Sequence, residues 1–297
     1  MKKRVFSTIF LGSEEGSLII LKKSLSLSYL KIAAVITQPP RPAGRRQILT
    51  PTIVGQFAKA KEILLITPNK IEKKVKRKVE KLKPDLAIIA AYGKILPQDF
   101  INIFPRGIIN IHPSLLPQFR GPTPVSTAIL NGNKTTGVSL FLIDSKIDHG
   151  PIIAKKKLNI KSSDNQQSLT QKLFYLGAQL LEEKLLSYLE GKIIPQPQGH
   201  RKATFTKLLS RQDGKIKISC FKKAVLGKSP WPKKIDQAIR AFYPWPGTYL
   251  IANGQRVKIL KAHLENNKLK IDLIQFAGQK PTDKIKKLID ILSPHES

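Results

Sequence analysis

The sequence is poor in cysteine and in long apolar runs. A single cysteine, Cys220, excludes an internal disulfide and a cysteine-based metal cage, and it favours a reducing, cytoplasmic environment. No apolar run approaches the roughly 20 residues that cross a bilayer, so no membrane association is expected. The apolar stretch Val5–Leu11 is interrupted by Ser7 and Thr8, and we interpret it as a first strand and not as a signal peptide.

The chain also lacks common signatures of nucleotide and metal chemistry. After the predicted first strand, Gly12–Gly16 reads G-S-E-E-G, which is not the G-x-G-x-x-G of dinucleotide-binding proteins. Its two acids would lie where a pyrophosphate binds. The sequence contains neither a P-loop nor a spaced cluster of metal ligands. These absences argue against a nicotinamide-dependent enzyme, and no metal is expected.

Acidic residues are scarce as well. Lys and Arg number 52 against 20 Asp and Glu, which gives a formal net charge of +32. A chain with this excess repels itself, and binding to a polyanion such as RNA relieves the repulsion. The excess is spread along the whole chain, so a general preference of the source organism for lysine is the alternative interpretation.

Strand and helix patterns alternate over the first two thirds of the chain. Short apolar runs predict buried strands at Arg4–Leu11, Ile32–Thr37, Asp85–Ala91 and Gly107–Ile111. Helical segments between them predict the α/β class, with a doubly wound, mostly parallel, Rossmann-like sheet. Ligands of such sheets bind beyond the carboxyl ends of the strands, so the site is expected there.

The clearest of these helices is predicted at Asn69–Leu82. Apolar side chains recur at helical spacing on one face, and Lys or Arg residues fill the remaining face. We interpret the basic face as solvated, with RNA contact as the alternative.

The pattern changes after Gly137. Two apolar runs, Val138–Ile143 and Ile152–Ile160, flank a polar turn and predict an antiparallel hairpin, and a long amphipathic helix is predicted at Gln166–Leu189. We place a main domain at 1–191 and a linker rich in Pro, Gln and Gly at 192–209. The remaining residues, 210–297, are expected to form a small β-rich domain closed by a helix near Asp283–Leu292.

Two polar side chains lie at the end of the fourth predicted strand. Alternation along that strand puts Asn110 and His112 on one face, where an amide can donate to an oxyanion and an imidazole can move a proton. Asp148, in the turn of the hairpin, supplies a carboxylate that could orient the imidazole and accept a proton. A structural histidine, an ordinary turn aspartate and a rival carboxylate at Asp144 are the alternatives.

The run Asn110–Pro117, with Ile147 and Asp148 further along, resembles the active-site signature of the folate-dependent formyltransferases. The likeness spans nearly the whole chain and includes 91–97, 203–207 and 240–246. It implies 10-formyltetrahydrofolate as the donor and Asn110, His112 and Asp148 as the catalytic residues. It also implies that folate is bound by Tyr92, Gly93, Ile95, Leu96, Pro97, Ser114, Leu115, Leu116 and Pro117.

A second resemblance concerns the acceptor. Thr37–Arg45 is similar to the RNA-contacting loop of family members that formylate methionyl initiator tRNA for translation initiation. This implies tRNA contact by Arg45 first, with Arg41 and Arg46 behind it. It further implies that 210–297 is an OB-like, tRNA-binding barrel, shortened after Ala262. We expect a monomer.

The chain departs from the family pattern at three positions near the site. It has Gln118 where the family usually has Arg, Pro151 where Asp is usual, and His149 in place of a small residue. Two alternatives remain. One is a folate-dependent formyltransferase that acts on a sugar nucleotide or on glycinamide ribonucleotide, and the other is a catalytically silent RNA-binding protein on this scaffold. The arginine loop, the C-terminal domain and the positive charge favour tRNA.

Overall fold

The computed structural model describes residues 4–44, 46–285 and 288. Backbone contacts divide the chain into two compact units. The first unit consists of the residues up to Pro122, Thr135–Asn159 and Thr170–Phe205. The second unit consists of Thr123–Lys134, Ile160–Leu169 and the residues from Thr206 onward.

The helices and strands follow one another in the order β1 (Phe6–Gly12), α1 (Glu15–Ser26), β2 (Leu30–Ile36), β3 (Arg41–Ala43), β4 (Ile48–Thr50), α2 (Ile53–Ala60), β5 (Leu65–Ile66), α3 (Lys73–Glu80), β6 (Leu86–Ala90), α4 (Gln98–Ile101), β7 (Ile108–His112), α5 (Pro124–Leu130), β8 (Thr135–Leu142), β9 (Ile152–Asn159), α6 (Gln166–Leu189), α7 (Ile218–Val225), α8 (Trp231–Ala241), β10 (Thr248–Ala252), β11 (Gln255–Glu265) and β12 (Lys268–Phe276).

A seven-stranded sheet in the order β5-β2-β1-β6-β7-β8-β9 forms the first unit. The five strands from β5 to β7 are parallel, whereas β8 and β9 each run antiparallel to the strand before them. This arrangement confirms the predicted α/β class and the mostly parallel sheet. The predicted hairpin is β8 and β9.

The two faces of the sheet carry separate apolar cores. Ile109 and Ile111 of β7 pack into one cluster with residues of α1, α2 and α6, whereas Ile108 packs into the other cluster with residues of α3 and α4. Because side chains alternate along a strand, Asn110 and His112 lie on the Ile108 face. The sheet register therefore sets the face on which the polar pair lies.

Helix α3 is shorter than predicted. The pattern predicted a helix over Asn69–Leu82, but the structure has it at Lys73–Glu80. Glu72 precedes the helix without a side-chain capping bond, and the first turn contains Lys73 and Lys74 but no acid. The four residues before Lys73 are not helical, although the apolar spacing extends back to Ile71, so the predicted first turn is wrong. The predicted bounds of α6 are confirmed.

The second unit contains a three-stranded antiparallel sheet, β10-β11-β12. Leu250, Ile259 and Phe276 from its strands share a core with Phe221 of α7 and Ile239 of α8. The sheet confirms the predicted β-rich domain. An OB fold has a five-stranded barrel, whereas the described part of this unit has a three-stranded sheet, so the OB-like barrel stays a prediction.

The helix predicted near Asp283–Leu292 lies mostly outside the described residues. None of the helices that the structure describes is both long enough and apolar enough to span a membrane.

Candidate active site

His112 is the last residue of β7, at the carboxyl end of the parallel strands. Its side chain is buried, and the ring packs edge-on against Phe141 of β8 with 6.4 Å between the centroids. Nε2 lies 2.9 Å from the carbonyl oxygen of Phe119. A carbonyl oxygen can only accept, so this bond fixes Nε2 as the donor and leaves Nδ1 for other partners.

The second nitrogen of this ring faces a carboxylate. Nδ1 of His112 lies 3.6 Å from Oδ2 of Asp148, a separation longer than a hydrogen bond. The same oxygen of Asp148 accepts from the backbone nitrogen of Gly121 at 2.7 Å. Asp148 has a left-handed backbone with φ of 46°. Aspartate tolerates this conformation better than most residues, but the surrounding contacts must hold it.

The rival carboxylate, Asp144, has a different partner. Its Oδ2 accepts from Nδ1 of His149 at 2.6 Å, and its Oδ1 accepts from the backbone nitrogen of Lys146 at 3.0 Å. Of the two aspartates in the turn, Asp148 is the one that the structure brings to His112.

Asn110 lies two residues before His112 on the same face of β7. It stands opposite Ile89 of β6 and Phe141 of β8 in the sheet register, and its side chain is half-buried. Within the described residues, no hydrogen bond engages its carboxamide. Its amide group is therefore available to donate to a bound molecule.

Three side chains that are not among the predicted site residues form a hydrogen-bonded chain that ends at Asp148. They are Gln198, Arg120 and His200. Gln198 donates from Nε2 to the carbonyl oxygens of Asp148 and Gly150, at 2.9 and 2.8 Å. Its Oε1 accepts from Arg120 at 2.7 Å, and Arg120 also donates to Nδ1 of His200 at 2.9 Å. Burial lowers the pKa of Arg120, and the carboxylate of Asp148 opposes this shift.

The comparison with protein families decides the identity. Residues 4–185 match the model described as Formyl transferase, and residues 231–279 match Formyl transferase, C-terminal domain. A relative named methionyl-tRNA formyltransferase, from Roseiflexus sp., is 41% identical over 260 residues, which cover 86% of this chain and 76% of the relative.

The chain belongs to the methionyl-tRNA formyltransferase family. This confirms the resemblance inferred from the sequence motifs.

Solved structures show the same fold. A 4-N formyltransferase from Francisella tularensis aligns with a TM-score of 0.66 at 19% identity, covering 88% of this chain and 98% of that one. The methionyl-tRNA formyltransferase from Clostridium thermocellum aligns with a TM-score of 0.59 at 18% identity, covering 92% and 99%. The fold is thus common to a 4-N formyltransferase and a methionyl-tRNA formyltransferase.

The segment after His112 in this formyltransferase is anchored by two hydrogen bonds to Ser139 of β8. The hydroxyl of Ser139 accepts from the backbone nitrogen of Leu116 at 3.0 Å and donates to the carbonyl oxygen of Ser114 at 2.7 Å. Ser114 and Leu116 are fully buried, whereas Leu115 and Pro117 are half-buried. Only the latter two side chains of the predicted folate segment are open to a ligand.

The other predicted folate segment follows β6. Because β6 and β7 are parallel neighbours, this segment and the one after His112 leave the same edge of the sheet. Tyr92 and Leu96 are buried, Gly93 is exposed, Pro97 is half-buried and Ile95 is 84% exposed. Burial raises the pKa of Tyr92 to about 12. Ile95 is the large apolar side chain of this segment that can meet a ligand.

The arginine loop of this formyltransferase is a small hairpin. Strands β3 and β4 pair antiparallel, with Arg41 opposite Thr50, so the segment is more regular than the predicted loop. Arg41 and Arg46 are exposed, and Arg45 lies outside the described residues. Ile48 and Leu49 of β4 are 61% and 67% exposed. The hairpin thus presents both cationic and apolar side chains.

The three departures from the family pattern have defined surroundings. Gln118 is exposed, and its carbonyl oxygen accepts from the hydroxyl of Ser114 at 2.6 Å. The ring of His149 stacks on His200 with 4.1 Å between centroids. The carbonyl oxygen of Pro151 accepts from the backbone nitrogen of Leu142 at 2.9 Å.

Sequence reasoning missed Gln198 and Arg120. Gln198 was assigned to the linker because its neighbours are Pro, Gln and Gly, and this composition carries no periodic signal. In the structure that segment is part of the first unit and pairs with the start of β9, since Gln196 and Ile152 exchange backbone hydrogen bonds of 2.8 Å. A glutamine and an arginine far apart in sequence give no indication that they meet.

Proposed function

We propose that this chain transfers the formyl group of 10-formyltetrahydrofolate to the α-amino group of methionyl initiator tRNA. The amine nitrogen forms a bond to the formyl carbon, and the carbonyl electron pair moves onto the formyl oxygen. Collapse of this tetrahedral intermediate breaks the bond from carbon to N10 of the folate. One proton leaves the amine and one is gained at N10, so the reaction is balanced without a metal or a covalent enzyme intermediate.

The oxyanion of this intermediate is assigned to Asn110 and His112. The carboxamide of Asn110 has no hydrogen-bond partner within the described residues, so it can donate without breaking an existing bond. Nε2 of His112 donates to Phe119, so Nδ1 is the ring atom that faces the reaction, and it can donate to the oxyanion only when the ring is protonated. Donors fixed before the charge develops lower the barrier because they need no reorganisation.

Asp148 is assigned the proton of the attacking amine. Its carboxylate lies 3.6 Å from Nδ1 of His112 and is anchored by Gly121. Hydrogen bonds of this kind are often long in the absence of substrate and shorten in the reacting complex. The observation that carries the proposal is this approach of an imidazole and a carboxylate beside Asn110 in a chain of this family.

The folate is assigned to the sheet edge where β6 and β7 end. Ile95 and Leu115 offer apolar surface there, and Gly93 and Pro117 are also accessible. The buried side chains of Tyr92, Leu96, Ser114 and Leu116 support these segments from inside. Their contribution to folate binding is therefore indirect or through the backbone.

The acceptor is assigned from two observations. The relatives that the chain matches over most of its length are named methionyl-tRNA formyltransferases. The hairpin β3–β4 presents Arg41 and Arg46 to solvent, as an RNA-contacting element requires. Contact by Arg45, a cytoplasmic location and a monomeric state remain predictions from the sequence.

One assay tests the proposal. The purified chain is incubated with 10-formyltetrahydrofolate and methionyl initiator tRNA, and the product is hydrolysed and examined for N-formylmethionine. We expect formylation of the tRNA and none of an amino-sugar nucleotide offered as the control acceptor. Formylation of the sugar nucleotide alone would reassign the acceptor, and no transfer to either would contradict the proposed reaction.

A further inference from the structure

The carboxamide of Gln198 joins two loops of the candidate site. Its Nε2 carries two hydrogens, and these reach the carbonyl oxygens of Asp148 and Gly150 at 2.9 and 2.8 Å. Its Oε1 accepts from Nε and Nη2 of Arg120, at 3.2 and 2.7 Å. All four bonds are made by a side chain that is only 5% exposed.

Two of these bonds concern the turn that carries Asp148, the residue to which the amine proton is assigned. Asp148 has a left-handed backbone, and a backbone in that region needs outside contacts to hold it. Gln198 holds it at the carbonyl, and Gly121, next to Arg120, holds it at the carboxylate. Arg120, in the loop after β7, bonds to Gln198, and Gln198 bonds to Asp148 in the loop after β8. Gln198 and Arg120 thus link the two loops.

The turn that carries Asp148 has no space for a side chain at Gly150. A β-carbon at Gly150 would collide with the carbonyl oxygen of Leu142, so the residue must be glycine. The chain on the far side of Asp148 is therefore packed closely against β8, while Gln198 binds the carbonyl oxygens on both sides of His149.

We propose that Gln198 is a positioning residue for formyl transfer, which sets the distance between the Asp148 carboxylate and His112. This inference rests on the proposed function. It requires a carboxamide at position 198, because only a group with two donors and one acceptor oxygen satisfies the two carbonyls and Arg120 together. The segment expected to be a linker therefore contributes to the geometry of the active site.

The isosteric substitution Gln198→Glu separates positioning from folding. A carboxylate at this position keeps and strengthens the partner of Arg120, so the buried guanidinium stays paired. It also turns two donors into an acceptor that faces the carbonyl oxygens of Asp148 and Gly150, which pushes this turn away. Gln196→Glu is the matched control, because Gln196 lies in the same segment and its exposed side chain bonds only locally, to Ile194.

The measurement is the single-turnover rate of formyl transfer to methionyl-tRNA, with thermal denaturation to verify that both variants are folded at the assay temperature. We expect Gln198→Glu to lower the rate by about 10²-fold, the effect of a misplacement of about 1 Å. The KM of each substrate is expected to change by less than roughly threefold, because the lost interaction acts on the reaction step. Gln196→Glu is expected to retain the parental rate.

The same substitution in an Asp148→Asn background tests whether Gln198 acts through Asp148. If it does, Gln198→Glu lowers the rate of that variant only slightly. An equal loss in both backgrounds, or a rate for Gln198→Glu equal to that of Gln196→Glu, overturns the inference while leaving the proposed function intact. An unsubstituted chain that does not formylate methionyl-tRNA removes both.

Discussion

Nε2 of His112 donates to the carbonyl oxygen of Phe119 at 2.9 Å, and this bond determines which ring nitrogen can take part in the reaction. The ring cannot rotate freely, so Nδ1 faces Asp148 at 3.6 Å. The loop after β7 orients the imidazole and, at Gly121, also holds the carboxylate. The loop after β7 thus contacts both members of the pair.

Replacing the carboxylate tests its role without removing its shape. Asp148→Asn retains an oxygen that can accept from Gly121 but loses the charge and the capacity to take a proton. We expect kcat to fall by about 10² to 10⁴, the contribution that general-base groups commonly make. Steady-state formylation of methionyl-tRNA measures this change.

The matched control is Asp144→Asn. Asp144 lies in the same turn but pairs with His149, so kcat should stay near that of the parent. If the two substitutions reduce kcat equally, the assignment of the base to Asp148 is wrong.

Asn110→Ala removes a donor and leaves the strand intact. Asn110 makes no side-chain hydrogen bond within the described residues, so the folded state should lose little stability. We expect kcat to fall by about 10² to 10³, as loss of an oxyanion donor does. A large drop in the melting temperature with unchanged kcat would indicate a structural role instead.

The arginine hairpin predicts a salt-dependent contact with RNA. Arg45→Ala should weaken tRNA binding, leave the KM for folate almost unchanged and reduce the slope of log K against log salt by roughly one. Lys78→Ala on α3 is the charge-matched control, since the basic face of that helix is interpreted as solvated. Equal effects of the two substitutions on tRNA binding would show that the binding depends on total charge and not on a specific contact by the hairpin.

Tyr92 offers a test of the buried side of the predicted folate segment. Its hydroxyl is buried and has no hydrogen-bond partner within the described residues. An unpaired buried hydroxyl costs about 1–3 kcal/mol, so Tyr92→Phe should leave the free energy of unfolding unchanged or raise it. The KM for folate should not change, because the side chain is buried. Denaturant unfolding that shows a loss of stability would reveal a partner for this hydroxyl.

Much of the fold follows from local pattern. Apolar runs of the right length predicted β1, β2, β6 and β7, and the 3.6-residue period predicted α6 with its bounds. The predicted helical turn before Lys73 does not form, because apolar periodicity alone does not mark where a helix begins.

The candidate site was predictable only in part. Asn110 and His112 share a face because they are two residues apart on a strand, which sequence alone shows. The choice between Asp148 and Asp144 depends on how the turn folds back, and the positions of Gln198 and Arg120 depend on contacts between distant segments. No local pattern encodes such contacts.

We expect His112 and Asp148 to act as one unit in formyl transfer, and a double substitution tests this most directly. Single-turnover rates on methionyl-tRNA are measured for His112→Ala, Asp148→Asn and the double variant. Groups that act together are strongly non-additive, so the double variant should be no more than a few times slower than the slower single variant. The account would be contradicted if the rate loss of the double variant equals the product of the two single losses. Single variants as fast as the parent would also contradict it.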